Sequence, residues 1–540
     1  MKTQLTQRIR KTGKRIAATI RRYGRLTIRK VAAQVSCSKS TAHRHLQAQK
    51  RRNLYPESWF WETEEGQEWL RLLVFGSLYM FAIQRHAGAE HLSSFFKLIR
   101  VDRHVGVSPS VLRTQLQKME TLLPEFQRMC EARAEKEPKA VLAGDETFFA
   151  ELLILVLMDL PSGYLLVEEK ADDRCFTTWL DKARPRLEQL GIEVKHAVTD
   201  RARALVKLAL EGLGCNSGAD LFHVMHDISK SLGLAFHRAV ANADKQLEES
   251  IAKLQRLATS SASKAKIDAQ AQCVEHDDLN LYMLKKSHND YQEAFHTISD
   301  TLHPFTIEES KAQSSADVEK GLEKQAQKLE EVTWLHDIEA RDGVNKFRNQ
   351  FKALACGVDT WWLWTLESLS IYALKQDKVN WLLYILLPVL YWHMQMEKTH
   401  NPDSRKKYKG VWKKSLSALQ AHPLTPMIAD EELKHWQEWA EWMVKQFHRS
   451  SSAVEGRNGW LSQMYHNGRG LTVKRLKACT VIHNFGIQRA DGTTAAERFF
   501  GMQFPDLFEW LLGQMGELPL PRKSRERSVT NPLEIKDVPA

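Results

Sequence analysis

The chain has 540 residues, 43% of them apolar and 26% charged, a composition that excludes a fibrous or wholly disordered chain and allows several domains. Its formal charge of +11 is unevenly spread: residues 1–52 hold sixteen Lys/Arg and no Asp or Glu, while the other 488 residues carry 61 Lys/Arg against 66 Asp/Glu. Seven cysteines with no CxxC pair speak against a disulfide frame or zinc site and suit a reduced, cytoplasmic protein. The most apolar run, 379–392, is too short to span a bilayer and contains Pro388, so it reads as a core helix.

The local excess of positive charge predicts a polyanion-binding module at residues 1–55. Helices are expected at Arg15–Tyr23, Thr27–Val35 and Ser40–Lys50, a helix-turn-helix pattern with Ser38 as N-cap. Apolar Ile28, Val31, Ala32 and Val35 should face Ala42 and Leu46. Lys39, Ser40, Thr41, His43, Arg44 and Gln47 are then the candidate DNA contacts on the third helix. Residues 56–138 read as a helical connector. A possible second helix-turn-helix lies within it, from Glu90–Ile99 to Val111–Leu123, with Arg113 as a candidate DNA contact.

Residues 139–238 change character. Strands are expected at Val141–Phe149, Leu152–Leu160 and Tyr164–Glu169, then a helix at Phe176–Leu190, a strand at Glu193–Thr199 and a helix at Ala202–Gly212. This order implies an α/β domain with a mixed sheet. Residues 239–440 carry no strand signal and read as an all-helical insertion, with one long helix from Asn242 to Ala271 and a basic loop at 398–414. Residues 441–517 return to the α/β domain, and 518–540 read as a disordered tail.

Three acids carry the candidate chemistry. Asp145 and Asp200 each stand on or just after a strand, and Glu455 sits in Ser451-Ser452-Ala453-Val454-Glu455-Gly456-Arg457-Asn458 ahead of an apolar helix. Carboxylates converging in this way can hold divalent metal for phosphoryl transfer. Glu146 is an alternative to Asp145, but neighbouring strand residues face opposite ways. Arg457, Lys474 and Arg475 are candidate phosphate contacts. Arg201, His223, His226, Asn458 and His466 are candidates for supporting the acids or the phosphates.

The segments Gly144-Asp145-Glu146-Thr147, Thr199-Asp200-Arg201, Asp220-Leu221-Phe222-His223 and Ser452–Asn458 together resemble DDE transposases of bacterial insertion sequences. The resemblance covers about 140–238 and 445–500. It implies a ribonuclease-H-like catalytic domain interrupted by a helical insertion, in which the first and fourth strands are neighbours and bring Asp145 and Asp200 to one spot. It also implies Asp145, Asp200 and Glu455 as catalytic residues and ligands of two Mg²⁺ ions, with Mn²⁺ able to substitute. The expected partners are double-stranded DNA, as inverted-repeat transposon ends and as target, and a second copy of the chain in a dimer or larger synapse. No membrane partner is expected, and the expected place is the bacterial cytoplasm, at the nucleoid. Two other readings stay open. One is a silent transposase-derived DNA-binding regulator, and the other a ribonuclease-H-like nuclease without strand transfer.

Overall fold

The computed structural model describes residues 2–24, 26–52, 61, 64–134, 138–336 and 341–521. The chain divides into two compact units. One comprises residues 1–129, 467–482 and 505–540; the other comprises 130–466 and 483–504. These units cut across the expected boundary at 441–517, since the chain after His466 alternates between them.

In the first unit, helices Lys2–Tyr23, Ile28–Val35 and Lys39–Arg52 pack around Ile16, Val31, Ala32, Val35 and Ala42. The first helix is longer than expected. Ile16 takes the core place expected of Ile28, which is 38% exposed. The turn forms because Ser36 adopts a left-handed conformation (φ 54°) at the end of the second helix. Ser38 Oγ then accepts the N–H of Thr41, 3.1 Å away, and caps the third helix. Further on, helices Ala89–Leu98 and Pro109–Glu131 flank a turn, where the Arg113 guanidinium pairs with Glu90. The expected tail at 518–540 is partly ordered. Leu518 is buried, the Gly106 N–H donates to the Pro519 carbonyl at 2.7 Å, and a Cβ at Gly106 would lie 2.7 Å from the Leu520 oxygen. Residues 522–540 lie outside the described residues.

The second unit is built on one sheet of five strands: β1 Lys139–Phe149, β2 Leu152–Asp159, β3 Leu165–Ala171, β4 Glu193–Thr199 and β5 Asn216–Ala219. Their order is β3-β2-β1-β4-β5, with β1, β2 and β3 antiparallel and β1, β4 and β5 parallel. β5 was not expected. The turn from β2 to β3 is tight because Gly163 takes φ 78°, and buried Asp159 accepts the N–H groups of Val141 and Ser162. Asp159 is thus a turn residue.

The two faces of the sheet are covered differently. A Cβ at Gly144 would meet Leu205 and Trp179, so that face looks toward helices Phe176–Leu190 and Arg203–Lys207. Val141, Ala143 and Asp145 point the other way by the two-residue period of a strand. On that side helix Phe351–Ser370 packs on β4 and β5, and helix Ser452–Met464 packs on β1 and β2.

Between β5 and the Glu455 helix the described chain is helical. The long helix expected at 242–271 is two helices, Leu234–Ala258 and Lys264–Thr301, packed as a hairpin. The Thr259–Ser263 stretch breaks them, since its hydroxyls compete for backbone groups and Ser263 is extended (ψ 146°). The basic loop expected at 398–414 is mostly helix Pro402–Ala421. Asn401 Oδ1 accepts from the N–H groups of Asp403 and Ser404, and Pro402 opens the first turn. Most of the 379–392 run is buried as expected, Asn380 and Tyr384 being exposed, with a π-helical turn at Leu382–Leu386 just before Pro388, where a residue without an N–H loosens the ladder. No helix among the described residues is long and apolar enough to cross a membrane.

Candidate functional site

Register brings the acids together. β1 and β4 run parallel with Ala143 opposite Val198, so Asp145 and Asp200, each two residues further on, stand level. Asp145 lies on the strand and Asp200 at its end, where Oδ1 accepts the Ala202 N–H at 2.8 Å. Helix Ser452–Met464 supplies the third acid from a segment far downstream. It also ties itself to the first, since Asn458 Nδ2 donates to Asp145 Oδ2 at 2.6 Å.

The electrostatics record the crowding. Burial pushes the Asp145 carboxyl up to about 7, helped by the negative charges of Glu455, Asp200 and Glu146 and opposed by the Glu146 N–H. Glu146 is also raised by burial, against a hydrogen bond from the Arg174 guanidinium at 2.8 Å. Two oxygens beside this cluster, Glu146 Oε2 and Asn458 Oδ1, are buried and accept no hydrogen bond. Such atoms are costly unless something electropositive completes them. Among the described residues, no three His, Cys, Asp or Glu are placed closely enough to hold a metal ion as they stand.

A histidine stands at the rim. Asp220, fully buried, caps helix Leu221–Ile228 by accepting the Phe222 N–H. It also accepts from Ser451 Oγ at 2.7 Å and lies 2.7 Å from His223 Nδ1. Burial opposes the Asp220 charge, but His223, Ser451 and the Phe222 N–H outweigh it and hold its carboxyl low. The Asp220 hydrogen bond pushes His223 up to about 9, and Glu455 and Asp200 add to this. Its Nε2 lies 3.6 Å from Glu455 Oε1. Sequence reading marked His223 but gave no role to Asp220 or Ser451. The Asp-x-x-His spacing that caps a helix and turns the ring back onto its cap was the available signal.

This pair has a pH signature. A histidine held above its unfolded value contributes stability below about pH 6.5 and loses it as pH rises through about 9. His223 is 38% exposed, so solvent screening reduces the contribution to roughly 1 kcal/mol. Urea titrations between pH 6 and 9.5 should show wild type losing this much more stability than His223→Gln. Parallel curves would exclude the Asp220–His223 pairing.

The other sequence candidates separate. Arg457 is the clear correction. Its side chain is only 4% exposed and makes a two-point pair with Glu168 on β3, at 2.5 and 2.8 Å, with its guanidinium 4.0 Å from the Trp460 ring centre. A guanidinium buried in this way is not open to a phosphate. Arg201, at φ 70°, turns back to donate to the Ser217 carbonyl at 3.2 Å. Arg475 pairs with Glu120 at 3.3 Å in the first unit, while Lys474 is exposed. His226 and His466 are exposed; His226 stacks on Phe222 and His466 lies edge-on to Tyr465. On the third N-terminal helix, Lys39, Ser40, His43, Arg44 and Gln47 are exposed and Thr41 partly so.

Residues 382–527 match the profile of DUF6399, a family of unknown function. This stretch contains Glu455, Asn458 and Arg457 but neither aspartate. No curated protein matches the chain.

Proposed function

We propose that this chain is a divalent-metal-dependent DNA transposase. In this reading it binds transposon ends through its basic N-terminal helices and cuts and rejoins DNA strands at Asp145, Asp200 and Glu455. The observation that carries the reading is the convergence of three acids, one of them on a helix tied to Asp145 by Asn458 across 313 residues. Asp145, Asp200 and Glu455 are each partly buried, and like charges placed this near one another raise a carboxyl's pKa unless a cation joins them. The strand order β3-β2-β1-β4-β5 supports a ribonuclease-H-like sheet, and the helical stretch between β5 and Glu455 supports the insertion.

The residues present suit an oxygen-binding cation such as Mg²⁺, which keeps several waters and needs only a few protein ligands. Asp145, Asp200 and Glu455 would hold it, with the unpaired Asn458 oxygen beside them. When bound, such a metal stabilises charge on a phosphoryl oxygen and lowers the pKa of bound water. The protein's own groups do the rest. Asn458 fixes the Asp145 carboxylate. Asp220 and Ser451 orient the His223 ring, which keeps its proton near neutral pH and sets a positive charge beside Glu455. The buried Arg457–Glu168 pair locks the Glu455 helix onto β3.

The test is strand cleavage and joining with DNA carrying the matched ends. Glu455→Ala and Asp200→Ala should abolish both while leaving DNA binding intact. Full activity in either variant would remove the catalytic assignment. Cleavage without joined product would mean a nuclease, and binding without any metal-dependent cleavage a regulator. Deleting residues 1–52 should weaken DNA binding at least about a hundredfold at moderate salt and flatten its salt dependence, because sixteen Lys/Arg are lost. An unchanged affinity and slope would refute the role of this module.

A further inference from the structure

The Glu455 helix is anchored at its start by a residue that holds no metal. Arg449 stands six residues before Glu455 and two before Ser451. Its carbonyl accepts the Leu221 N–H at 2.9 Å. Next to Leu221, Asp220 accepts both the Ser451 N–H, at 3.2 Å, and the Ser451 hydroxyl, at 2.7 Å. The first turn of the Glu455 helix hangs from Ser451, whose carbonyl accepts the Val454 N–H at 2.7 Å. The main chain from Arg449 to Glu455 is thus fixed where β5 gives way to helix Leu221–Ile228.

The Arg449 side chain goes the other way, into the helical insertion. Helix Lys264–Thr301 ends ahead of Pro304, and the last carbonyls of a helix have no partners within it. Arg449 Nη1 donates to two carbonyls at that end, Ser299 at 2.6 Å and Leu302 at 3.3 Å, which sets a cation on the negative end of the helix dipole.

The same nitrogen lies 3.2 Å from His303 Nε2. A guanidinium only donates, so Nε2 is the acceptor and the ring proton sits on Nδ1, which donates to the Tyr391 hydroxyl at 2.6 Å. The Tyr408 hydroxyl donates to Nε2 as well, at 3.3 Å. His303 is fully buried, and burial together with the Arg449 charge holds its pKa well below the ordinary histidine value. Three helices of the insertion, Lys264–Thr301, Leu387–Lys398 and Pro402–Ala421, therefore converge on the group that Arg449 reaches. All of these residues belong to one compact unit.

We propose that Arg449 is a positioning residue for Glu455: it ties the end of the long helix of the insertion to the start of the Glu455 helix, so that the insertion sets where the third carboxylate stands. The inference rests on the metal reading of the three acids, and it gives the insertion a part in that site. The long helix has 38 residues and spans about 57 Å at 1.5 Å per residue. A tilt of so long an element reaches Glu455 through one side chain.

The experiment uses the full-length protein without DNA and Mn²⁺ as the probe, its binding followed by electron paramagnetic resonance. Arg449→Met keeps the stem and removes the guanidinium. Its Mn²⁺ affinity should fall about tenfold or more, the usual loss when a partner that orients a ligand is removed. Amide exchange in the metal-free variant should quicken at Ser452–Asn458 and stay unchanged at Leu152–Asp159 in the sheet. Arg449→Lys keeps the charge on a shorter head that reaches fewer acceptors, and its affinity should lie between those of wild type and Arg449→Met. If Arg449→Met does not fold, the lysine variant decides alone. Wild-type affinity in the folded variants overturns the inference. Exchange that rises equally in both segments overturns it too, because Arg449 would then support the fold as a whole. If the wild type itself binds no Mn²⁺, the metal reading fails, and the exchange comparison alone decides whether Arg449 sets the Glu455 helix.

Discussion

Asp145→Asn should abolish metal-dependent strand cleavage and make the metal-free protein more stable. The two effects share one cause. The Asp145 carboxyl is held at about 7 by burial and by the charges of Glu455, Asp200 and Glu146. Its folded value lies above its unfolded one, so the wild type carries stability below about pH 4 that is lost as pH rises through 7. Asparagine keeps the shape and removes the charge. The variant should therefore match wild type at pH 4 and exceed it at pH 8 by on the order of 1–2 kcal/mol, allowing for partial exposure. On the proposed reading, cleavage should fall at least about a thousandfold, since the variant loses a carboxylate that would hold the metal. Added Mg²⁺ should raise the melting temperature of wild type and leave that of the variant unchanged. Equal stability at pH 8 would mean that the acids do not crowd one another, and retained cleavage would dismiss Asp145 from the site.

Glu168→Ala should be the most destabilising single change near the site. Glu168 is wholly buried and binds both ends of the Arg457 guanidinium, itself 4% exposed. Removing the carboxylate leaves an uncompensated charge in the core, at a cost of about 3–5 kcal/mol. Replacing both residues with methionine should recover much of this, because the pair itself gains little over a well-packed apolar contact. Denaturant midpoints of the two variants and wild type decide the matter; a single-variant loss below about 1 kcal/mol would mean that the pair is not buried as described. The Glu455 helix leans on this pair, so the single variant should also lose cleavage at temperatures where it remains folded.

Much of the architecture could be read from the sequence, and the misses have physical reasons. Apolar runs such as Leu152–Asp159 announce strands, and the order of strands and helices announces a mixed sheet; that Asp145 and Asp200 stand on neighbouring strands was expected from the resemblance. β5 escaped notice because Asn216-Ser217-Gly218-Ala219 has no apolar or β-branched signal. It pairs because its glycine leaves room for His196, whose Nε2 would lie 2.6 Å from a Cβ there. The basic stretch after His400 looked like a loop because its charges mask the helical period. Asn401-Pro402 was the informative signal, an N-cap followed by a residue that needs no N–H donor. Arg457 looked like a phosphate ligand because its partner lies 289 residues away in sequence. Local motifs show which side chains are charged, and only long-range contacts show which are already neutralised.

The distance along the chain between the acids also has a consequence in time. Asp145 and Asn458, beside Glu455, are 313 residues apart. At ribosomal rates of about 5–20 residues per second, roughly 15–60 s separate their synthesis. During that interval a nascent chain already displays the basic helices and both aspartates but lacks the glutamate. On the transposase reading proposed above, such a chain would bind DNA without cutting it, so a fragment that ends before residue 455 should compete with finished chains for DNA in a binding assay.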